Sequence, residues 1–174
     1  MLDGSVEIAM RQAIRNKNDE GFFRLLDQHP EGLWVETTFG SWLHFAASRV
    51  CLNIVKRLVE LGADVNRRGG ISEGGAIRDA ASNGELEVVK FLQENGAELD
   101  VSDPTRNPLF GAIHDGHTAV AKLLIDSGID IRVKYTGENM KGMDALRFAR
   151  EWWRDDIAKL LIEKLASDVP TAEE

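Results

Sequence analysis

Apolar residues recur at spacings of one, three and four in four stretches of the chain. They are Ile54, Val55, Leu58 and Val59; Val88, Val89 and Leu92; Val120, Leu123 and Leu124; and Ile157, Leu160 and Leu161. Such spacing puts each group on one face of a helix. Ahead of each lies a shorter stretch rich in small residues, as at Ala46–Ala47 and Ala80–Ala81, where a neighbouring helix can approach closely. The pattern predicts a short small-residue helix followed by a bulkier amphipathic one, repeated along the chain. Gly62, Gly96 and Gly128 fall just beyond the amphipathic stretches, where glycine tolerates the left-handed backbone that stops a helix.

The pattern has a period. Ala46, Ala80, Ala112 and Ala149 are separated by 34, 32 and 37 residues, and the three glycines by 34 and 32. A weaker copy at 10–33 places Ala13 33 residues before Ala46. One helix pair cannot bury its apolar face alone, so the units must stack to be stable. The reading is a single domain over 1–166, with units at approximately 5–35, 36–69, 70–101, 102–138 and 139–166 and a frayed polar tail at 167–174. Residues 33–40 are apolar and β-branched, which suggests an extended turn between the first two units.

The segments SWLHFAA (41–47), LVELGADVN (58–66), NGAELD (95–100) and NPLFGA (107–112), at a period near 33, resemble ankyrin repeats. The resemblance covers roughly 5–165 and implies an all-α solenoid of about five helix-turn-helix units with inter-repeat turn fingers. The TPLH tetrapeptide of the family is absent, and only His44 keeps its histidine. The hydrogen bonding between repeats is therefore expected to depart from the family pattern.

Charge narrows the function. The chain carries 21 basic and 29 acidic residues, a net charge of −8. Nucleic-acid affinity comes largely from Lys and Arg displacing counterions, so a nucleic-acid partner is not expected. An anionic membrane surface would repel the chain, and no apolar run approaches a membrane span. The opening MLDGSVEIAM lacks a basic start leading into an apolar core, which argues against a secretory signal. A lone cysteine, Cys51, suits a reducing cytoplasm. No cofactor is implied.

His114-Asp115-Gly116-His117 could hold a metal, but no further ligands converge on it in sequence; by resemblance, Gly116-His117 is the turn between paired helices. The glycine-rich loop 69–75 lacks the strand, Lys and helix start of a phosphate loop. His44 could act as a base, yet the resemblance makes it the residue that ties neighbouring turns together. Cys51 has no activating partner in the pattern. No constellation meets the requirements of a catalytic centre, so the reading is not an enzyme. Trp152 and Trp153 stand where a small residue and a glycine are expected, and exposed aromatics often anchor interfaces. Trp34 and Trp42 read as packing residues.

The resemblance places binding on a concave face made by the ends of the first helices and the turn fingers. Mapped onto this chain, the helix positions are Arg49, Asn83, His114, Asp115 and Trp152, beside Ser48, Ser82 and Glu151. The finger positions are Arg67, Arg68, Arg106, Lys134, Tyr135 and Lys141. The longest interval, 37 residues, implies an extended finger at 132–141 holding the only tyrosine, and such insertions often project from a binding face. The expected function is recognition of another protein by a chain that is monomeric when free. Residues 96–145 resemble small bacterial stand-alone ankyrin proteins, some of them immunity partners of secreted toxins. That resemblance implies capture of a toxin, and the acidic charge favours a basic one. The alternative is a regulatory adaptor or inhibitor of an endogenous enzyme.

Overall fold

The computed structural model describes residues 2–70, 72–137 and 140–168. These residues form five antiparallel helix pairs: α1 (Gly4–Arg15) with α2 (Asp19–Gln28), α3 (Trp42–Ala47) with α4 (Leu52–Glu60), α5 (Ala76–Ser82) with α6 (Leu86–Glu94), α7 (Pro108–Asp115) with α8 (Thr118–Asp126), and α9 (Ala145–Glu151) with α10 (Asp155–Ser167). Between the first two pairs lie a 3-10 turn, Pro30–Trp34, and a small antiparallel hairpin of β1 (Glu36–Thr37) and β2 (Gly40–Ser41). This is the extended turn expected at 33–40.

The helices stack in two rows. The first helices form one: α3 packs on α5, α5 on α7 and α7 on α9. The second helices form the other, from α2 through α4, α6 and α8 to α10. Ala46, Ala80, Ala112 and Ala149 are fully buried in the first row, so a larger side chain there would push neighbouring helices apart. Ile54, Val55, Leu58, Val88, Val89, Leu92, Val120, Leu124, Ile157 and Leu161 fill the space between the rows. Each stabilises the array by about 1.5–3 kcal/mol relative to exposure. Val59, Leu123 and Leu160 sit at the edge of that core, partly buried.

Left-handed residues punctuate every unit. Gly62, Gly96 and Gly128 end the second helices at φ of 93°, 84° and 83°. Between paired helices the same backbone falls on Lys17, Val50, Gly84, Gly116 and Trp153, with φ of 53°, 61°, 75°, 81° and 57°. In three of the units the residue after it reaches back to the preceding unit. Cys51 Sγ donates to Ile14 O at 3.4 Å, His117 Nε2 lies 3.0 Å from Ser82 O, and Arg154 Nε donates to Ile113 O at 3.0 Å. Each acceptor is a carbonyl at the C-terminal end of a first helix; Ile14 O and Ile113 O also accept from the amides of Lys17 and Gly116 in the following turn. Glycine at 84 and 116 makes room for these links: a Cβ on Gly84 would lie 2.5 Å from the His117 ring, and one on Gly116 3.0 Å from the Arg154 guanidinium.

A second set of links joins the fingers. His44 is buried, with Nδ1 2.9 Å from Ser41 Oγ and Nε2 3.1 Å from Gly74 O in the next finger. Where the histidine is missing, other residues take its place. Arg78 Nε donates to Thr105 O at 2.7 Å, and Tyr135 Oη donates to Val101 O at 2.8 Å. Asn66 joins two units through its amide, donating to Gly96 O at 2.9 Å and accepting from the Glu98 amide at 2.8 Å.

Two expectations need correction. Trp42 is buried, its indole N–H donating to Gly32 O at 2.9 Å, but Trp34 is 58% exposed and is no core residue. Its 3-10 turn points it outward while Leu33 packs on the core. At the other end, α10 continues through Ser167, and Asp168 pairs with Arg132 and Lys164 at 3.2 and 3.1 Å. These two residues join the last unit rather than a frayed tail; the remaining tail residues, 169–174, lie outside those described.

Candidate functional site: the first-helix ends and fingers

The C-terminal ends of α3, α5, α7 and α9 bring Arg49, Asn83, His114, Asp115 and Trp152 to one surface row, all exposed. Within this row His114 and Trp152 touch, with ring centroids 4.1 Å apart, and His114 Nδ1 lies 2.8 Å from Asp115 Oδ1. Trp152 also packs against Phe148 at 5.9 Å, which in turn stacks on Phe110 at 4.4 Å. Trp152 is therefore half-supported from below and 41% exposed, whereas Trp153 stands 87% exposed.

The fingers are less free than the sequence suggests. Arg67 pairs with Glu36 at 2.6 Å. Arg68 and Arg106 converge on Asp100 at 2.8 and 3.5 Å, and Arg106 is only partly exposed. Lys134 and Lys141 are exposed. Tyr135 requires a correction, because it is not displayed to a partner at all. It is 7% exposed, its ring meets Phe110 edge-on at 5.0 Å, and its hydroxyl accepts from Asn107 Nδ2 at 2.9 Å. Reciprocal backbone bonds with Met143 close the base of its finger and turn the side chain inward. Glu138 and Asn139 of this finger lie outside the described residues.

At the N-terminal half of the row a cavity of about 560 Å³ opens between the hairpin, α3, α5 and the next finger. Phe39 and Phe45 wall it, their ring centroids 5.7 Å apart. Guanidiniums crowd these rings: Arg11 stands 5.7 Å from the Phe39 centroid, and Arg15 and Arg49 stand 6.0 and 5.4 Å from the Phe45 centroid. Arg78 and Asp79 line the side formed by α5. Burial pushes the Asp79 carboxyl up to about 7, and the neighbouring Arg78 only partly opposes this. Burial likewise holds His44 below its ordinary range, against its bond to Gly74 O, which favours the charged ring.

Phe39, Phe45, Arg15, Arg78 and Asp79 escaped the sequence reading. A signal was present for two of them. Phe45 and Asp79 directly follow the positions of the family histidine, His44 and Arg78, and this repeat position faces the cavity in both units. Phe39 and Arg15 arrive from a hairpin and from another unit, and no spacing links them.

The other candidates settle into structural places. Cys51 is buried, and burial raises its thiol, the opposite of what a nucleophile needs. His114 and His117 part company, one exposed beside Trp152 and the other linked to Ser82 O. The glycine-rich loop forms a finger closed by a bridge between Gly69 and Gly74. Among the described residues no group of three or more His, Cys, Asp or Glu is placed to hold a metal, and no helix is long and apolar enough to cross a membrane.

Comparison with known proteins agrees with the repeat geometry. The family model for ankyrin repeats (3 copies) matches residues 10–103 and 77–172. An L-asparaginase of Dirofilaria immitis is 34% identical over 89 residues, which are 51% of this chain and 14% of that protein. A probable E3 ubiquitin-protein ligase XBOS33 of Oryza sativa subsp. japonica is 38% identical over 94 residues, 51% of this chain and 18% of that protein. The chain thus spans under a fifth of each relative, and what is shared is the repeat array. With helix pairs, left-handed turns and fingers recurring at one period, the chain belongs to the ankyrin-repeat family.

Proposed function

We propose that this chain is a binding protein whose concave row, from Arg49 to Trp152, grips a partner protein. The observation that carries this reading is the row itself: polar and aromatic side chains presented at the ends of stacked, rigid helices. A rigid scaffold displaying variable positions lowers the ordering cost of binding. The partner-contacting set is Arg49, Asn83, His114, Asp115 and Trp152, with the exposed Lys134 and Lys141 at the fingers. Arg67, Arg68 and Arg106 contribute less because their charges are already paired. The free chain is a monomer in this reading.

The resemblance of residues 96–145 to bacterial immunity partners supports a toxin as the partner. The regulatory-adaptor reading differs only in whose protein is bound. Affinity purification under native conditions, followed by an assay for protection against products of neighbouring genes, tests both. A stoichiometric partner released by Asn83→Arg and Trp152→Ala, with folding intact by circular dichroism, is the expected result. A partner whose binding ignores every substitution in the row would overturn the choice of face.

A further inference from the structure

We infer that the cavity between Phe39, Phe45 and Asp79, lined by the guanidiniums of Arg49 and Arg78 and with Arg15 held against the Phe45 ring, seats a carboxylate side chain on an acidic segment of the partner protein. The inference rests on the concave-face reading and specifies the partner's chemistry at one end of it.

Charge complementarity carries the argument. Arg11 is held by Glu7 and Arg67 by Glu36. Arg15 and Arg49 are exposed and make no ion pair among the described residues, yet both stand over the same phenyl ring. A guanidinium resting on a ring face keeps its N–H edge outward, which is the fork that a carboxylate accepts in two parallel bonds. The ring beneath fixes the guanidinium and lowers the entropy lost when it closes on an acceptor. Arg78, on the opposite wall, adds a third positive charge with one N–H committed to Thr105 O.

Asp79 looks like an obstacle to an anion, but its burial removes much of the objection. With its carboxyl pushed up to about 7 it is largely neutral in mildly acidic solution, and its O–H can donate to an incoming carboxylate. The other charged or titratable groups that line the cavity with it are Arg78 on its own helix, His44 on α3 and Arg49 in the turn after α3; His44 is held toward the neutral ring. No titratable residue of α7 lines the cavity. A cationic side chain in the same place would meet the Arg49 and Arg78 guanidiniums of the lining, whose repulsion one half-neutral carboxyl does not offset. The overall charge of −8 does not reverse this, since exposed charges more than about 8 Å away are largely screened at physiological salt.

The test is a titration of the isotope-labelled full chain, followed by amide shifts. The probes are a capped octapeptide alternating glutamate with glycine and the same peptide carrying glutamine or lysine. The glutamate peptide is expected to shift the amides of Phe45, Arg49 and Asp79, and the glutamine peptide to leave them in place. Affinity should fall about fivefold from pH 6 to pH 8 as Asp79 ionises, and Asp79→Asn should flatten that dependence. The Arg15→Glu/Arg49→Glu double variant, folded by circular dichroism, should lose the shifts. Preferential binding of the lysine peptide at this cavity, tightening with pH, would overturn the inference. So would shifts scattered over unrelated arginines, or no shifts at millimolar glutamate peptide. The two readings fail separately. A native partner released by Trp152→Ala but indifferent to the arginine double variant leaves the concave face standing and removes the acid seat.

Discussion

Asn107 and Tyr135 meet inside the array, the Asn107 amide donating to the Tyr135 hydroxyl at 2.9 Å. Each is also committed elsewhere. Asn107 Oδ1 caps α7 by accepting from the amides of Leu109 and Phe110 at 2.8 and 3.3 Å, and Tyr135 Oη donates to Val101 O. The pair ties the extended finger to the start of the fourth helix pair. Tyr135→Phe removes the acceptor for a buried amide N–H and the donor for a carbonyl, so a loss of about 1–3 kcal/mol is expected. Urea unfolding measures it. An unchanged midpoint would show that water replaces both bonds at no net cost. Tyr135→Ala is for the same reason a stability variant, not a probe of binding.

Val50 and Gly84 occupy equivalent left-handed positions, at φ of 61° and 75°. A β-branched residue there is strained, and nothing in its own unit requires valine, since its side chain is 52% exposed. Val50→Gly should stabilise the array by about 1 kcal/mol. Gly84→Ala should act the other way, and beyond backbone strain, because its methyl would strike the His117 ring. Thermal unfolding of both variants tests the pair. Equal effects of like sign would mean that the two turns are not equivalent.

Much of this was legible in the chain. The alanines and the glycines after the second helices mark the closest helix contacts and the stops, and both demands exclude other residues, so they leave a period. The links between units leave none. Cys51, His117 and Arg154 do one job with three chemistries, because any donor of the right reach satisfies a helix-end carbonyl. The same freedom lets Arg78 and Tyr135 stand in for the missing histidines. Tyr135 was misplaced because a finger insertion says where the backbone projects but not which way a side chain turns. The cavity was invisible for a related reason: its walls come from a hairpin, two helices and a finger, whose juxtaposition no spacing encodes.

Arg154 ties the last helix pair to the one before it, donating to Ile113 O and to His114 O. Among the described residues no later pair packs over α9 and α10, so this pair has a neighbour on one side only. Arg154→Ala should cost about 1–3 kcal/mol through the exposed carbonyls and lost packing. The loss should concentrate in the last unit. Amide hydrogen exchange is the discriminating measurement: faster exchange confined to α9 and α10 is expected, and uniform acceleration throughout would argue that the array unfolds as a single block.

Asp79 and His44 give the stability of the fold opposite pH dependences. The folded-state carboxyl of Asp79 titrates near 7 instead of near 3.8, so the native chain holds a proton that the unfolded chain releases. That contribution is fully present below pH 3.8, falls as pH rises, and is gone above about 7. His44 is held below its ordinary 6.5, so the unfolded chain takes up a proton first, and stability falls as pH drops below 6.5. Between pH 4 and 6.5 the two partly cancel in the native sequence. Single variants should separate them. Asp79→Asn is expected to raise stability on the order of 2 kcal/mol at pH 8, after discounting for its partial exposure, and to make little difference near pH 4. His44→Gln should be less stable at pH 8, having lost a well-fitted ring, and should show a shallower decline below pH 6.5 than the native chain. Denaturant midpoints across this range provide the check. A gain for Asp79→Asn that is the same at pH 4 and pH 8 would mean that its effect is one of packing and not of the proton.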